Sequence, residues 1–345
     1  MIIRPENNNE IQHALIPATV LEKLVTQLLV HNERESLRES FIELVDEFFS
    51  PESIKLFSSG LRGIVAHRNM LIADIMVSDL LDSNTVAISL SDDEHLHHVA
   101  DKAEVRAVNV SQSKIELYIP LMQGNIVGTV LVLKNVSPMM VEDFIWQHTL
   151  MAYNNLNRML YSAEIDPLTG LMNRLAFDRL LTRQSKVDTE VASDEKNTYF
   201  ALLDIDFFKK INDNFGHLYG DEVLILLARA MSESFRSMDW LFRYGGEEFA
   251  IVLIDVSQEE AHEVLERFRH KIEMMDFPQV GQVTLSVGFS RMVNLEPVSS
   301  LIDRADNALY YAKNHGRNQV LFYEALRDEG LLNEVAQEMS DIELF

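Results

Sequence analysis

Apolar residues recur every four positions in IPATVLEKLVTQLLVHN (16–32), where Val20, Leu24 and Leu28 fall on one side of a helix. ERESLRESFIELVDEFF continues as a second amphipathic helix to Phe49. From about residue 53 the period changes to short β-rich pieces: SIKLFSS, LIADIMV, TVAISLS, AVNVSQS, IELYIPL and IVGTVLVLK. In IELYIPL, Ile115, Leu117, Ile119 and Leu121 alternate with Glu116 and Tyr118, the pattern of a half-buried strand. MQGN supplies a tight turn, so residues 114–134 are predicted to form a β-hairpin. Helices flanking an antiparallel sheet predict an α+β domain of about 120 residues.

After Pro138 the helical period returns. Ile145, Ala152, Leu156, Met159 and Ala163 follow a heptad-like seam that suits pairing with a second copy, and a helix packed on its own domain fits it equally. DPLTGLMNR (166–174) breaks the helix with Pro167 and Gly170 and marks a boundary. Residues 175–184 are predicted helical, and SKVDTEVASDEKN is a polar loop. Then come a strand at 199–207, a helix near 218–235, a strand at 240–244 and a turn at Gly245-Gly246. A strand at 248–254, a helix at 257–275, a strand at 283–290, a helix at 298–314 and a strand at 318–323 complete the series. That order is β-α-β-β-α-β with an extra helix, a ferredoxin-like palm. The acidic residues 327–345 are expected to be a peripheral helix or a frayed tail.

Composition narrows the function. The 345 residues suffice for about two domains. A formal net charge of -24 opposes nucleic-acid binding, which needs a basic face, but not binding of a nucleotide through divalent metal and a few placed cations. The absence of cysteine excludes disulfides, thiolate metal sites and cysteine nucleophiles. MIIRPENNNEIQ lacks the pattern of a secretion signal, and no stretch approaches the roughly 18 apolar residues of a membrane span. A soluble, cytoplasmic protein is expected.

Two stretches carry the candidate chemistry. Tyr199 to Leu203 read as a strand buried on both faces, with Asp204 and Asp206 at its end. In RYGGEEFAIVL, Glu247 and Glu248 follow a glycine pair that lets backbone approach a ligand. In a β-α-β-β-α-β fold the first strand lies beside the central hairpin, so Glu247 can approach Asp204. Carboxylates so placed suit Mg²⁺, which fills its shell with water and substrate phosphates and points to phosphoryl chemistry on a nucleotide.

DPLTGLMNR, DIDFFKKINDNFGHLYGD, RYGGEEF and AKNHGRN, in the family's order and at its spacings, together resemble the GGDEF domain of diguanylate cyclases over roughly residues 162–325. The resemblance implies an enzyme that condenses two GTP into cyclic di-GMP and two pyrophosphates across a homodimer, with Mg²⁺ (or Mn²⁺) as cofactor. It implies Asp204, Glu247 and the carbonyl of Ile205 as metal ligands, and Glu248 as a further acid near the attacking hydroxyl. Phe207 and Phe208 would offer backbone amides to the phosphates, with Lys209, Lys313 and Arg317 as cations; Gly245 and Gly246 would admit the substrate. Asn212 and Asp221 would read the guanine edge, an Asp suiting guanine's N–H donors. The motif carries Glu247 where the family name has Asp, which keeps charge and oxygen ligands. The alternative is a catalytically silent receptor for GTP or cyclic di-GMP.

FRSMDWLFRYGG places Arg236 and Asp239 in an Arg-x-x-Asp unit five residues before Gly245, with Arg267 on the next helix. This resembles the family's inhibitory product site. An exposed ion pair is the plain alternative. Residues 12–150 resemble a GAF-type sensory domain, with a PAS-like domain as the alternative, for an unidentified small-molecule or protein input. Residues 1–11 would be a tail, 151–165 a signalling helix and 166–326 the catalytic domain. His95, His97 and His98 in DDEHLHHVADK are expected on an exposed loop rather than at a metal.

Overall fold

The structure, a computed structural model, describes residues 33–58, 75–79, 85–88, 93–141, 143–184, 197–236, 238–293 and 295–332. The predicted helix at 16–32, the polar loop at 185–196 and the segment 333–345 lie outside the described residues. The chain divides into two compact units, Met1–Ser162 and Ala163–Phe345.

The first unit begins with α1 (Arg34–Phe49), whose Leu37, Phe41, Leu44 and Val45 are spaced by three and four and all buried. Strands β1 (Ser53–Ser58), β2 (Ile75–Asp79) and β3 (Thr85–Ile88) follow, then α2 (Glu94–Lys102), β4 (Arg106–Asn109), β5 (Ile115–Gln123) and β6 (Ile126–Val136). They form one six-stranded sheet in the order β3-β2-β1-β6-β5-β4, antiparallel throughout. The predicted hairpin is β5–β6, turning at Gly124, whose φ of +62° suits glycine. Ile115, Leu117, Ile119 and Leu121 pack on one sheet face with α1 and with α3 (Phe144–Glu164). On the other face, Tyr118, Val130 and Val132 meet Leu96 and Val99 of α2.

The three histidines are not on a loop. Asp93 caps α2 by accepting from the amides of His95 and Leu96, and Leu96 and Val99, three apart, anchor the helix. Among the described residues no group of three or more His, Asp or Glu side chains could hold a metal ion. On α3 the buried residues, among those described, are Trp146, Thr149, Tyr153 and Asn157, while Met159 on the predicted seam is exposed. The Tyr153 ring stacks on Phe41 at 4.1 Å, and Asn154 and Asn157 bond the backbone of Met122 at the hairpin end.

The second unit contains α4 (Arg174–Gln184), β7 (Asn197–Ile205), α5 (Phe208–Phe215), α6 (His217–Ser234), β8 (Trp240–Arg243), β9 (Glu248–Val256) and α7 (Gln258–Met274). A small hairpin, β10 (Asp276–Phe277) and β11 (Gly281–Gln282), precedes β12 (Leu285–Arg291), α8 (Val298–Asn314), β13 (Val320–Phe322) and α9 (Tyr323–Asp328). The sheet order is β13-β12-β7-β9-β8, so β7 is central and pairs antiparallel with β9 and β12. Without β13 at the edge, this is the predicted α+β arrangement of a ferredoxin-like palm. The short α5 and the β10–β11 hairpin were not anticipated, because Phe208–Phe215 is too brief to show a helical period.

Alternation along β7 sorts the core. Tyr199, Ala201, Leu203 and Ile205 face the layer containing α6 and α7. Phe200 and Leu202 face α4 and α8 with Phe242, Ala250, Val252 and Leu309. A Cβ at Gly288 of β12 would lie 2.2 Å from the backbone of Ala305 and Leu309, so glycine lets α8 sit directly on the sheet.

Candidate active site

Asp204 continues the Phe200–Leu202 face of β7, toward the layer that contains α8. Lys313, in the last turn of α8, meets it there with Nζ 2.8 Å from Oδ2. The Asp204 side chain is buried (5% exposed), with Glu248 as its register partner on β9 and Ser286 on β12. Burial raises its carboxyl above the usual aspartate range; Lys313 opposes this, and the charges of Glu248 and Asp206 add to it. Glu247 is raised too, first by burial and then by Asp204. The cluster holds more negative charge than one lysine balances, a condition that a divalent cation would relieve. Among the described residues no group of three or more His, Asp or Glu side chains is placed to hold a metal ion, so a cation at this strand end would need further ligands from backbone carbonyl or non-protein oxygen.

The glycine turn is held from two sides. Tyr244 and Gly245 donate their amides to the Glu248 carbonyl at 2.9 and 3.1 Å. A Cβ on Gly245 would sit 2.3 Å from Glu248 Oε2, so glycine is needed for the carboxylate to lie where it does. Arg243 donates to the Gly246 carbonyl (2.8 Å from Nη2) and, through Nη1, to both oxygens of Asp166 (3.1 and 3.2 Å). Burial works to raise Asp166, but hydrogen bonds from Thr169 and Arg243 outweigh it and leave the carboxyl below its usual range. Arg243 and Asp166 were missed in the sequence although each lies in a quoted motif; the 77 residues between them conceal the contact.

On the other side of the Asp204 strand end, Phe207 takes a left-handed conformation (φ +59°) and opens α5. Its half-exposed ring has Lys210 Nζ at 4.3 Å and Arg317 Cζ at 4.5 Å from its centroid. Phe208 is buried in the core, and Lys209 is exposed beside it on α5. Asn212 and Asp221 lie half-buried on the neighbouring helices α5 and α6. A Cβ at Gly220 would fall 2.0 Å from Asn212 Oδ1, so the glycine before Asp221 makes room for that amide. The palm thus gathers carboxylates at one strand end with Lys313, and Arg317 at the start of α5.

Asp239 is not an exposed ion-pair partner. It is 3% exposed, and its carboxylate accepts the backbone amides of Arg236 (2.9 Å) and Ile254 (3.4 Å), tying the α6–β8 connection to β9. Arg236 and Arg267 are exposed, the latter on α7.

Carboxylates at one strand end, with a lysine and an arginine beside them, sit on a ferredoxin-like palm. Residues 163–319 match the family described as diguanylate cyclase, GGDEF domain. Diguanylate cyclase DgcP of Pseudomonas aeruginosa is 38% identical over 174 residues, which cover 49% of this chain and 25% of that protein. Diguanylate cyclase VdcA of Vibrio cholerae is 36% identical over 172 residues, 48% of this chain and 49% of that protein. The chain therefore spans between a quarter and about half the length of these two relatives. Among solved structures, the coiled coil and GGDEF domain of DgcB from Caulobacter crescentus in complex with c-di-GMP is 31% identical. It covers 51% of this chain and 94% of that one, with a TM-score of 0.47.

Proposed function

We propose that the protein is a diguanylate cyclase that condenses two GTP into cyclic di-GMP. The observation that carries this reading is the Asp204–Lys313 pair at the strand end, register-paired to Glu248 and charge-coupled to Glu247. The names of the relatives that match the same unit support it. Each half-reaction forms a bond from a ribose 3′-oxygen to the α-phosphorus of the other GTP and breaks the bond to the bridging oxygen, releasing pyrophosphate. The hydroxyl proton passes to Glu248 or through it to water. Asp204, Glu247 and the Ile205 carbonyl would hold Mg²⁺, which, when bound, withdraws charge from the phosphate oxygens. Lys313 and Arg317 balance the triphosphate charge, the amides of Phe207 and Phe208 with Lys209 contact its oxygens, and Asn212 and Asp221 select guanine. Two sites must face each other, so the working form is a homodimer.

The test is incubation of purified protein with Mg²⁺ and GTP after enzymatic removal of co-purified dinucleotide, with products read by chromatography. Cyclic di-GMP and pyrophosphate are expected. Glu247→Gln should lose on the order of 100-fold or more in rate, the usual scale for removing one stabiliser of transition-state charge. A dimer that bound GTP and made no product would overturn the reading in favour of a receptor.

Two regulatory features belong to the same proposal. Arg236, Asp239 and Arg267 bind product, the exposed arginines meeting phosphate or guanine while Asp239 shapes the loop; added cyclic di-GMP should slow the wild type and leave Arg236→Ala unaffected. The first unit is a GAF-like sensory domain, supported by its antiparallel sheet with helices on both faces. Its signal travels along α3, and a one-residue insertion beside Leu156 should uncouple it. Unchanged rate and dimerisation would make α3 a passive spacer. Among the described residues no helix is long and apolar enough to cross a membrane.

A further inference from the structure

The turn after α8 is unusual in its backbone. Gly316 (φ +113°), Arg317 (φ +61°) and Asn318 (φ +48°) all have positive φ in succession. Glycine adopts such angles freely and asparagine tolerates them, but an arginine in the left-handed region is strained and persists only where its surroundings impose it. That strained residue is the one whose guanidinium lies over the Phe207 ring at the start of α5.

Beside Arg317, whose own amide bonds the Ala312 carbonyl, lies a hydrogen-bonded network of buried and half-buried groups. The Asn318 amide donates to Asp206 Oδ2 at 3.0 Å. Asp206 is itself 5% exposed and also accepts from the hydroxyls of Ser286 and Thr284, both at 2.7 Å. The Asn318 side chain is used at both ends: Oδ1 accepts from Arg269 Nη1 at 2.6 Å, and Nδ2 donates to Glu273 Oε1 at 2.7 Å. Arg269 is 9% exposed and closes the ring by donating to Glu273 Oε2 at 2.9 Å. Three remote pieces of chain, the end of β7, helix α7 and the turn after α8, thereby meet at one asparagine. Neither Asp nor Ala can replace it, since aspartate would set a like charge against Glu273 and alanine has no polar group.

We propose that Asn318, held by Asp206 and by the Arg269–Glu273 pair, is a positioning residue that sets the left-handed turn presenting the Arg317 guanidinium to the phosphates of the nucleotide. The role assigned to Arg317 rests on the reading of the site given above; the brace around it does not. Because the brace acts through Arg317, its loss should cost nothing further once Arg317 is gone, whereas a general loss of fold would cost binding in either background.

The experiment uses the full chain with Asn318→Gly, which keeps the backbone freedom but removes the side chain, and Arg269→Met. Each is made alone and combined with Arg317→Ala, and binding of guanosine 5′-(α,β-methylene)triphosphate with Mg²⁺ is measured by calorimetry. Each single variant should bind the analogue about 10-fold more weakly, the scale of a charge-assisted hydrogen bond. Neither should weaken it further in the Arg317→Ala background. In nucleotide-free protein, amide exchange at residues 316–319 should rise in both variants while β7 and β9 stay protected. Equal losses with and without Arg317, or exchange unchanged at 316–319, would overturn the positioning role. Wild-type protein that bound the analogue but made no cyclic dinucleotide would overturn the proposed activity alone; wild type that did not bind it would overturn both.

Discussion

Glu247 illustrates how a carboxylate crowded beside another weighs on the fold that carries it. Burial and the Asp204 charge hold its pKa above the ordinary glutamate range. A raised acid stabilises the folded state while protonated, and that stability is lost as pH rises through the folded pKa. Glu247→Gln should therefore melt above wild type at pH 7 in the absence of metal. The two should converge below about pH 4, where the wild-type group is protonated in both folded and unfolded chains. Thermal melts from about pH 3.5 to 8 would show this divergence, and parallel curves at every pH would mean that the carboxylate carries no strain. The substitution proposed above to slow turnover is thus expected to stabilise the apoprotein, as is common where charges are crowded for function. Among single residues, Asp204, Glu247 and Lys313 were legible because each sits beside a local signal: a strand end, a glycine pair, a helix end. Arg243 and the Arg269–Asn318 contact were not, because these partners lie 77 and 49 positions apart.

At the scale of elements, the site depends on how closely α8 approaches β12. Gly288 faces the Ala305 carbonyl and Leu309 backbone with no space for a methyl group. Backbone cannot step aside as a side-chain tip can, so Gly288→Ala should cost about 2–3 kcal/mol of stability, the upper range for overpacking. Urea titration should show a lower midpoint with unchanged slope. Lys313 lies one turn beyond Leu309 on the same helix, so the rate should fall with stability. An unaltered midpoint would show that α8 rides up without penalty. Long elements with a clear period, such as α6, α7, α8 and the β5–β6 hairpin, were predicted close to their observed ends. The eight-residue α5 was not. Its first residue is placed by the left-handed Phe207 and its core contacts by Phe208 and Ile211, none of which announces a helix in a single sequence.

For the whole molecule, two compact units with separate cores predict separable unfolding. Phe41, fully buried against Tyr153 and Trp146, belongs only to the first core. Phe41→Ala should destabilise that unit by about 3–5 kcal/mol. Calorimetry should then show one transition moved down and the transition of the second unit in place. A single transition moving as one would mean that the two units unfold together.

The sequence by itself determined the order of elements in the palm, the alternation that buries β7 on both faces, and the motif residues that match the C-terminal unit to the diguanylate cyclase, GGDEF domain family. These follow from local periodicity and short spacings, which a chain carries wherever it folds. Only the tertiary structure decided that Lys313 neutralises part of Asp204, that Asp166 and Arg243 pin the glycine turn, and that Asp206, Arg269 and Glu273 meet at Asn318. Each of these joins residues far apart in the chain through hydrogen bonds and charge in a low-dielectric interior, and such contacts exist only once the sheet has set its register.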